Sequence, residues 1–245
     1  SQPTADYDIR SVDTTDPAIT PLAKYAFSDT PAKPDDDAMI ERRRRERRDD
    51  RIFISYMDGE PIAKTHTLPM TMNVRGTVMP MGGVSGVACM PVGRRGGHVR
   101  ALINHSLQVM RDDGQPVSGL YPFRESFYER FGFAGWPAPM WITGDPARLG
   151  AVLSLPKRGT VRQRSMKDGF EDWMAFLESR QAAIPGFSLL GPTRRRWWIN
   201  EDEYWVATVH DDKAITGAMI YKITDNVSTM SVPSALWSTL DAQYQ

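Results

Sequence analysis

Cysteine is almost absent from this sequence, since Cys89 is the only one in 245 residues. A single cysteine excludes an intramolecular disulfide framework and a multi-cysteine metal site, and it agrees with a reducing compartment. The four histidines are scattered without an H-x-x-x-H spacing, so we expect no metal. Lysine plus arginine, 30, equals aspartate plus glutamate, 30, which leaves no overall field to attract nucleic acid or a membrane.

A long apolar run and a signal-peptide pattern are also missing, so the sequence predicts a cytoplasmic protein. Hydrophobic residues make up 41% of the chain and aromatic residues 10%. This content is enough to fill the core of one large domain or of two small ones.

The most basic stretch is residues 41–50 (ERRRRERRDD), which holds six arginines and four acidic residues. An arm that binds RNA is one interpretation of this run. The other is a solvated helix face on which opposite charges pair. The mixed signs and the lack of stacking aromatic residues favour the helix face.

Periodicity predicts the elements of the first half of the chain. Alternation predicts a strand at residues 6–12, and helical spacing predicts a helix at residues 17–27. Asp58-Gly59 lies between two alternating stretches, residues 51–57 and 61–70, and predicts a β-hairpin. The further predicted elements are a strand at 77–89, a helix from Gly97 that ends near Gly114, a strand at 116–121 and a short helix at 123–130.

Residues 84–102 (VSGVACMPVGRRGGHVRAL) form the most informative stretch, in which a strand meets an Arg-Arg-Gly-Gly turn and a helix. The helix start directs unpaired N–H groups at one point, and Gly96 and Gly97 allow a phosphate to approach. Arg94 and Arg95 add donors suited to phosphate oxygens. Because no Walker lysine follows the glycines, this diphosphate cradle points to coenzyme A.

The composition shifts after residue 136. Helical spacing predicts a helix at residues 167–181, and a second hairpin at residues 204–223 turns near Asp211-Asp212. Its layout is similar to that of the first hairpin and indicates a weak internal repeat. We therefore expect an α/β chain with a first domain at residues 1–136 and a second at residues 137–245.

The order of strand, R-x-x-G turn, helix, strand and short helix resembles the GNAT acyltransferase superfamily. The segments GGVSGVACMP, RRGGHVRAL, SGLYPF, SFYERFGF, PKRGTV and LWSTL are similar to the Eis (enhanced intracellular survival) type of N-acetyltransferase. The resemblance implies a mixed central sheet flanked by helices, followed by part of a second GNAT-like unit in which this chain stops, truncated relative to its relatives. It also implies acetyl-CoA as acyl donor and a homo-oligomer, a hexamer in similar proteins.

The resemblance also implies roles for particular residues. Tyr128 is implied as the general acid. The remaining implied positions contact the donor: the backbone of Val87, Ala88 and Cys89 pairs with the pantetheine arm, Arg94, Arg95, Gly96, Gly97, His98, Val99 and Arg100 wrap the diphosphate, and Phe123 and Arg124 lie nearby. Gly96 departs from the family pattern, where a third arginine is frequent, and Phe123 stands where some relatives have a small polar residue.

Acetyl transfer from a thioester needs an acid for the leaving thiolate and a base for the amine. Tyr128 is a weaker acid than a thiol by about 1.5 pKa units, and we expect Arg124 or Arg130 to lower its pKa. Without the resemblance, packing among Phe127, Phe131 and Phe133 is the favoured interpretation of this tyrosine.

No base is evident from the sequence. His98 is expected to serve the diphosphate turn, and His105 is expected at the surface. Glycines 82, 83 and 86 predict a bulge that frees donors of the strand. Cys89 has no adjacent histidine and is interpreted as a packing residue.

These observations predict an acetyl-CoA-dependent N-acetyltransferase that acts on a primary amine of a small molecule or of a lysine side chain. The alternative is a GNAT-like module that binds coenzyme A or interacts with a partner without catalysis.

Overall fold

A six-stranded mixed sheet takes five strands from the first half of the chain and one from residues 188–190, and helices flank it. The structure is a computed structural model that describes residues 7–28, 35–135, 150, 154–156, 159–200, 204–212 and 214–222. Its strands are β1 (Asp8–Val12), β2 (Arg51–Met57), β3 (Glu60–Val74), β4 (Thr77–Cys89), β5 (Val117–Gly119), β6 (Thr160–Ser165), β7 (Ser188–Leu190), β8 (Trp205–Asp211) and β9 (Ala214–Tyr221). Its helices are α1 (Ile19–Phe27), α2 (Asp37–Glu46), α3 (His98–Asp112), α4 (Glu125–Tyr128), α5 (Met166–Ala183) and α6 (Pro192–Arg195).

The chain divides into two compact units. The first comprises Ser1–Val74, Val78–Gly135 and Ser188–Arg195, and the second comprises Arg75–Thr77, Trp136–Phe187 and Arg196–Gln245. In the large sheet the strand order is β1-β2-β3-β4-β5, and β7 pairs with β3. The pair β4–β5 is parallel, whereas β1–β2, β2–β3 and β3–β7 are antiparallel.

The predicted first hairpin is confirmed. Asp58 and Gly59 have φ angles of +53° and +84°, and Met57 pairs with Glu60. Two consecutive positive φ angles match the twist of the flanking strands, which explains why Asp-Gly is favoured at this turn. This hairpin places the long β3 next to β4.

Alternation along β2 divides the core of the first unit between two faces of the sheet. Ile52 and Ile54 pack with Ile19 and Leu22 of α1 on one face. Phe53 packs with Leu102 of α3. Because successive strand side chains point to opposite faces, one strand serves both helices.

The interpretation of the arginine run as a solvated face is only partly right. Arg42 and Glu46 form an exposed i,i+4 pair as expected. Arg43, however, turns inward and binds the buried carboxylate of Asp35 at 2.5 Å. The same Asp35 binds Lys24 of α1 at 3.0 Å. Burial acts to raise the pKa of Asp35, but the hydrogen bond from Thr20 and the two cations outweigh it and lower the pKa to about 2.

The second unit contains the antiparallel sheet β6-β8-β9, on which α5 packs. Gly169 of α5 allows this packing, since a Cβ there would lie 2.8 Å from Val206 of β8. In this sheet the first strand, β6, lies beside the hairpin β8–β9. The first unit has the same arrangement, in which β1 lies beside the hairpin β2–β3. The domain boundary at residue 136 stays a prediction, and the predicted helix over SALWSTL lies outside the described residues.

Candidate active site

The end of β4 forms one wall of the site. Its register with β5 covers Met81–Val117, Gly82–Ser118 and Gly83–Gly119, after which β5 ends. β4 continues to Cys89, so Val87, Ala88 and Cys89 extend beyond these pairs. Within the described sheet, β4 therefore presents backbone groups without a strand partner on the side of β5, as a strand that receives a ligand must.

The three glycines expected at a bulge have different reasons to be glycine. Of the three, Gly86 alone has a positive φ, +59°, which suits the kind of bulge that holds a glycine in the left-handed region. A Cβ at Gly82 would lie 2.4 Å from Met110 Sδ, and one at Gly83 would lie 2.6 Å from Met70 Sδ. Gly82 and Gly83 therefore allow close side-chain packing on β4, and both pair in regular register with β5, so they form no bulge on that side.

The turn between β4 and α3 exposes three backbone donors. Gly97 has φ +88° and precedes α3 without any side-chain cap. The first hydrogen bond at this helix end runs from Ala101 N–H to the Gly97 carbonyl at 3.0 Å. The N–H groups of His98, Val99 and Arg100 therefore lack an intrahelical acceptor, and together with the helix dipole they favour an anion.

Tyr7 holds this turn in place, a role that sequence analysis missed. Its hydroxyl donates to the Gly96 carbonyl at 2.8 Å. A Cβ at Gly97 would lie 2.1 Å from the same hydroxyl oxygen. A glycine is thus needed at position 97 because of the positive φ angle and because a Cβ would clash with Tyr7. The sequence analysis expected the missing Cβ to make room for phosphate instead, and this reason is corrected.

The arginines of the turn lie in solvent. Arg94 and Arg95 are exposed, as is Arg100 on the first turn of α3. Arg94 Nη2 lies 3.5 Å from the hydroxyl of Tyr25, the residue that orients this side chain. Arg95 has a φ angle of +65°, which is strained for a residue with a Cβ. Strained backbone conformations of this kind are frequent at functional sites.

The side chain of His98 packs beneath the turn, where a Cβ at Gly96 would lie 3.2 Å from its Cδ2. It is buried, and its Nδ1 lies 2.8 Å from the Ser55 hydroxyl on β2. Burial lowers the pKa of His98, so the ring is neutral at physiological pH. The ring therefore supports the turn from beneath, and the role expected of His98 at the diphosphate stays a prediction.

Tyr128 lies in a buried aromatic cluster beside β4. It is 4% exposed and shares a hydrophobic cluster with Val84, Val87 and Val99. Its ring meets Phe127 edge to face at 5.0 Å. The structure therefore brings the implied acid together with residues of the implied donor site.

The expected lowering of the Tyr128 pKa is wrong. Burial raises the pKa of this phenol. The guanidinium of Arg130 lies 4.9 Å from the ring centroid of Phe127 and so contacts the neighbouring ring. Tyr128 therefore keeps its proton at neutral pH more firmly than an exposed tyrosine.

Two further implied contacts, Phe123 and Arg124, are exposed beside this cluster. The Phe123 ring centroid lies 5.7 Å from that of Tyr128. Cys89 is half-buried, and burial raises the pKa of its thiol, which agrees with a packing residue. His105 is exposed against Phe53, as expected.

A concave region of about 320 Å³ adjoins the turn and involves residues that sequence analysis missed. It is lined by Arg100, Asn104, Arg130 and Phe131. The i,i+4 spacing of Arg100 and Asn104 places both on one face of α3, a signal that was available in the sequence. Two guanidinium groups here extend the positive surface of the turn.

Comparison with known proteins identifies this arrangement. The family profile of the acetyltransferase (GNAT) domain matches residues 8–135, more than half of the chain. The chain belongs to the GNAT acetyltransferase family. Membership accounts for the mixed sheet with flanking helices and supports an acyltransferase activity. Among curated proteins, none matches the chain.

Solved structures share the fold at low identity. A probable N-acyltransferase from Enterococcus faecalis V583 has a TM-score of 0.71 and 18% identity, covering 96% of this chain and 61% of its own. Eis1 from Mycobacterium abscessus has a TM-score of 0.66 and 18% identity, covering 98% and 62%. A GCN5-related N-acetyltransferase from Kribbella flavida has a TM-score of 0.63 and 19% identity, covering 97% and 60%. The chain thus spans about three fifths of their length.

Two findings concern other kinds of site. No helix in the described ranges has the length and apolar composition needed to cross a membrane. Among the residues that the structure describes, no three histidine, cysteine or acidic side chains gather as metal ligands would.

Proposed function

We propose that this protein is an acetyl-CoA-dependent N-acetyltransferase of the Eis type that acts on a primary amine. The observation that carries the proposal is the edge of β4 that β5 leaves without a strand partner. The turn after β4 then leads to the N–H groups of residues 98–100, which lack an intrahelical acceptor. A strand edge followed by an anion-binding helix start suits a ligand with an amide-bearing arm and a diphosphate. The family match and the likeness to Eis1 support the same activity.

The residues present fit this donor. We assign the pantetheine arm to the backbone of Val87, Ala88 and Cys89. The diphosphate goes to the N–H groups at the start of α3 and to Arg94, Arg95 and Arg100. When bound, acetyl-CoA supplies the activated acetyl group, and the chain supplies position and protons.

Tyr128 is the proposed general acid. Its buried hydroxyl is protonated at neutral pH and lies in one cluster with Val84 and Val87 of β4. Because burial makes the phenol a weaker acid, full transfer to a thiolate is unfavourable, and Tyr128 must give its proton as the carbon–sulfur bond breaks. A non-catalytic CoA-binding module is the second candidate, favoured by the same burial of Tyr128.

A thiol-release assay with acetyl-CoA and a panel of primary amines separates the two functions. An enzyme releases CoA thiol, whereas a binder shifts the melting temperature with CoA and releases none. We expect Tyr128→Phe to lower kcat by about 100-fold while the Kd for CoA stays within twofold. Tyr121→Phe is the matched control, because this tyrosine is 85% exposed. Unchanged turnover in Tyr128→Phe would remove it from the mechanism.

The second GNAT-like unit, the cytoplasmic location and the homo-oligomer stay predictions. Sedimentation of the purified protein would test the last of these, with a monomer as the contrary result.

A further inference from the structure

A buried lysine of β3 binds a carbonyl group of β4. Lys64 is only 1% exposed, and its Nζ donates to the Gly86 carbonyl at 2.9 Å. Nε2 of His66, which is also buried, lies 3.0 Å from the same Nζ. Burial and the charges of Arg47 and Arg43 lower the pKa of Lys64 to about 7. The ammonium and the amine forms both carry N–H donors, so the hydrogen bond to the carbonyl is available in either form.

Gly86 provides the space for this contact. Its φ angle of +59° lies in the left-handed region, which glycine adopts without the strain that a Cβ brings. A Cβ here would lie 3.0 Å from Lys64 Nζ and 3.3 Å from Cδ2 of His66. A residue with a side chain at position 86 would therefore crowd both groups, and the contact between Lys64 and the carbonyl depends on this glycine.

Lys64 and Tyr128 lie on opposite faces of the large sheet. Lys64 pairs with Ile54 of β2, which packs against α1. Because directly paired residues have their side chains on the same face, Lys64 lies on the face of α1. Val87 packs instead against the cluster that contains Tyr128 and Ile103 of α3, on the other face.

One peptide group joins the two faces. The Gly86 carbonyl and the Val87 N–H belong to the same planar group, and in its trans form they point in opposite directions. When Lys64 binds the carbonyl on the face of α1, the Val87 N–H therefore points toward the face of Tyr128. The hydrogen bond to the carbonyl also polarises the peptide group, which makes its N–H a stronger donor.

We propose that Lys64 is a positioning residue, which acts through the Gly86 carbonyl to orient the Val87 N–H toward the thioester carbonyl oxygen of the acyl donor. This inference rests on the proposed function, because Val87 belongs to the β4 segment to which the donor is assigned. It adds a residue that touches neither the donor nor the acceptor.

The Val87 N–H acts when the amine adds to the thioester. The amine nitrogen forms a bond to the thioester carbon, the π electron pair of the carbonyl moves to oxygen, and the N–H stabilises this negative charge. When the pair returns, the carbon–sulfur bond breaks and the sulfur takes the proton of Tyr128. The nitrogen releases a proton to water, from which Tyr128 is protonated again. Lys64 neither gives nor takes a proton in this sequence.

Isotope-edited infrared spectroscopy of bound acetyl-CoA tests the orientation. A hydrogen bond to the thioester oxygen lowers the frequency of its carbonyl stretch, and a preorganised donor lowers it more than water does. We expect the frequency in the wild-type complex to lie below that in water, and the frequency in Lys64→Met to return toward the value in water. Methionine has nearly the length of lysine but no donor. Equal frequencies in the wild type and in Lys64→Met, or no lowering in the wild type, would overturn the inference.

Thr65→Val is the matched control. Thr65 is the next residue on β3 and is also buried, and its hydroxyl makes no hydrogen bond among the described residues. This variant should keep the carbonyl frequency of the wild type. A frequency in Thr65→Val that equals that of Lys64→Met would show a general effect of changes in β3 and would contradict the role of Lys64.

Kinetic constants from thiol release separate positioning from folding. We expect Lys64→Met to lower kcat about tenfold, less than the loss of a whole oxyanion donor, while the Kd for CoA, which lacks the acyl carbonyl, stays within twofold. Lys64→Gln retains a neutral N–H donor and should recover part of kcat and of the frequency shift. A purely structural role would lower the amount of folded protein and leave the kcat of the folded enzyme unchanged, and this result would contradict the proposal.

The two readouts also separate this inference from the proposed function. A wild type that releases no thiol with any amine, but whose frequency shift is lost in Lys64→Met, would refute catalysis and support the orientation of Val87 by Lys64. Thiol release and carbonyl frequencies that are equal in the wild type and in Lys64→Met would refute the role of Lys64 and leave the catalytic function standing.

Discussion

The two basic regions that adjoin β4 contain the same kinds of side chain in opposite environments. At the turn, Arg94 and Arg95 lie in water, where a charge is cheap to hold and free to meet a ligand. Beside Gly86, Lys64 and His66 are buried, where desolvation and like charges lower the pKa of both groups. The exposed arginines are therefore expected to contribute little to stability, whereas the buried pair makes the stability of the fold depend on its protonation.

The largest expected contrast concerns the dependence of stability on pH. Between pH 7 and 10.5 the folded form has released the Lys64 proton, whereas the unfolded chain still holds it. The wild type should therefore gain about 1.4 kcal/mol of unfolding free energy per pH unit from this residue as the pH rises. Urea unfolding at several pH values should show that the unfolding free energy of the wild type rises with pH more steeply than that of Lys64→Met. Below pH 7 the two slopes should be equal.

The matched variant for this contrast is Arg94→Gln, whose stability should follow the wild-type pH curve. A Lys64→Met curve parallel to that of the wild type over the same window would show that Lys64 stays charged, and the distinction between the two regions would be lost.

A second contrast lies within the turn. Gly97→Ala combines a positive φ with a clash against Tyr7, and we expect it to cost about 3 kcal/mol and to raise the KM for acetyl-CoA at least tenfold. Gly114→Ala is the control, because Gly114 has φ +71° and open space around it. It should cost only about 1 kcal/mol, from strain alone. Equal losses in both variants would remove Tyr7 as the cause.

Ser55→Ala tests the buried histidine that lies behind the turn. Loss of the hydrogen bond between Ser55 and His98 should lower the unfolding free energy by about 1–2 kcal/mol. The KM for acetyl-CoA should stay within twofold, because the His98 ring faces the core. Ser126→Ala, at an exposed position, should change neither quantity. A tenfold rise in KM would indicate instead that the His98 ring contributes to binding of the acyl donor.

The smallest expected effect is at Arg95. Arg95→Gly should relieve backbone strain and stabilise the protein by about 0.5–1 kcal/mol, yet raise the KM for acetyl-CoA about fivefold, since a phosphate contact is lost. Arg75→Gly is the control, because Arg75 has φ +52° in an exposed turn elsewhere. It should give the same stabilisation with KM unchanged. An unchanged KM in Arg95→Gly would exclude this arginine from the donor site.

Local rules predicted those parts of the fold in which neighbours in sequence decide the structure. The turn at Asp58-Gly59 and the helix from Gly97 to Gly114 depend on φ angles and on apolar spacing within a few residues. The roles of Tyr7, Lys64 and Asp50 were not predicted because their partners, Gly96, Gly86 and Arg194, lie 22 to 144 residues away in the chain. A sequence pattern does not contain such distances.

By itself the sequence determined the elements, the arginines and glycines of the turn, and the resemblance to the GNAT family, because each of these is encoded in a short run of residues. Only the tertiary structure decided which charges are buried. It turned Arg43 inward against Asp35, although the sequence predicted a solvated face for this run. It also buried Tyr128, which raises the pKa of this phenol, although a nearby arginine predicted a lower one. Burial depends on how distant segments pack, and burial sets the free energy of a charge.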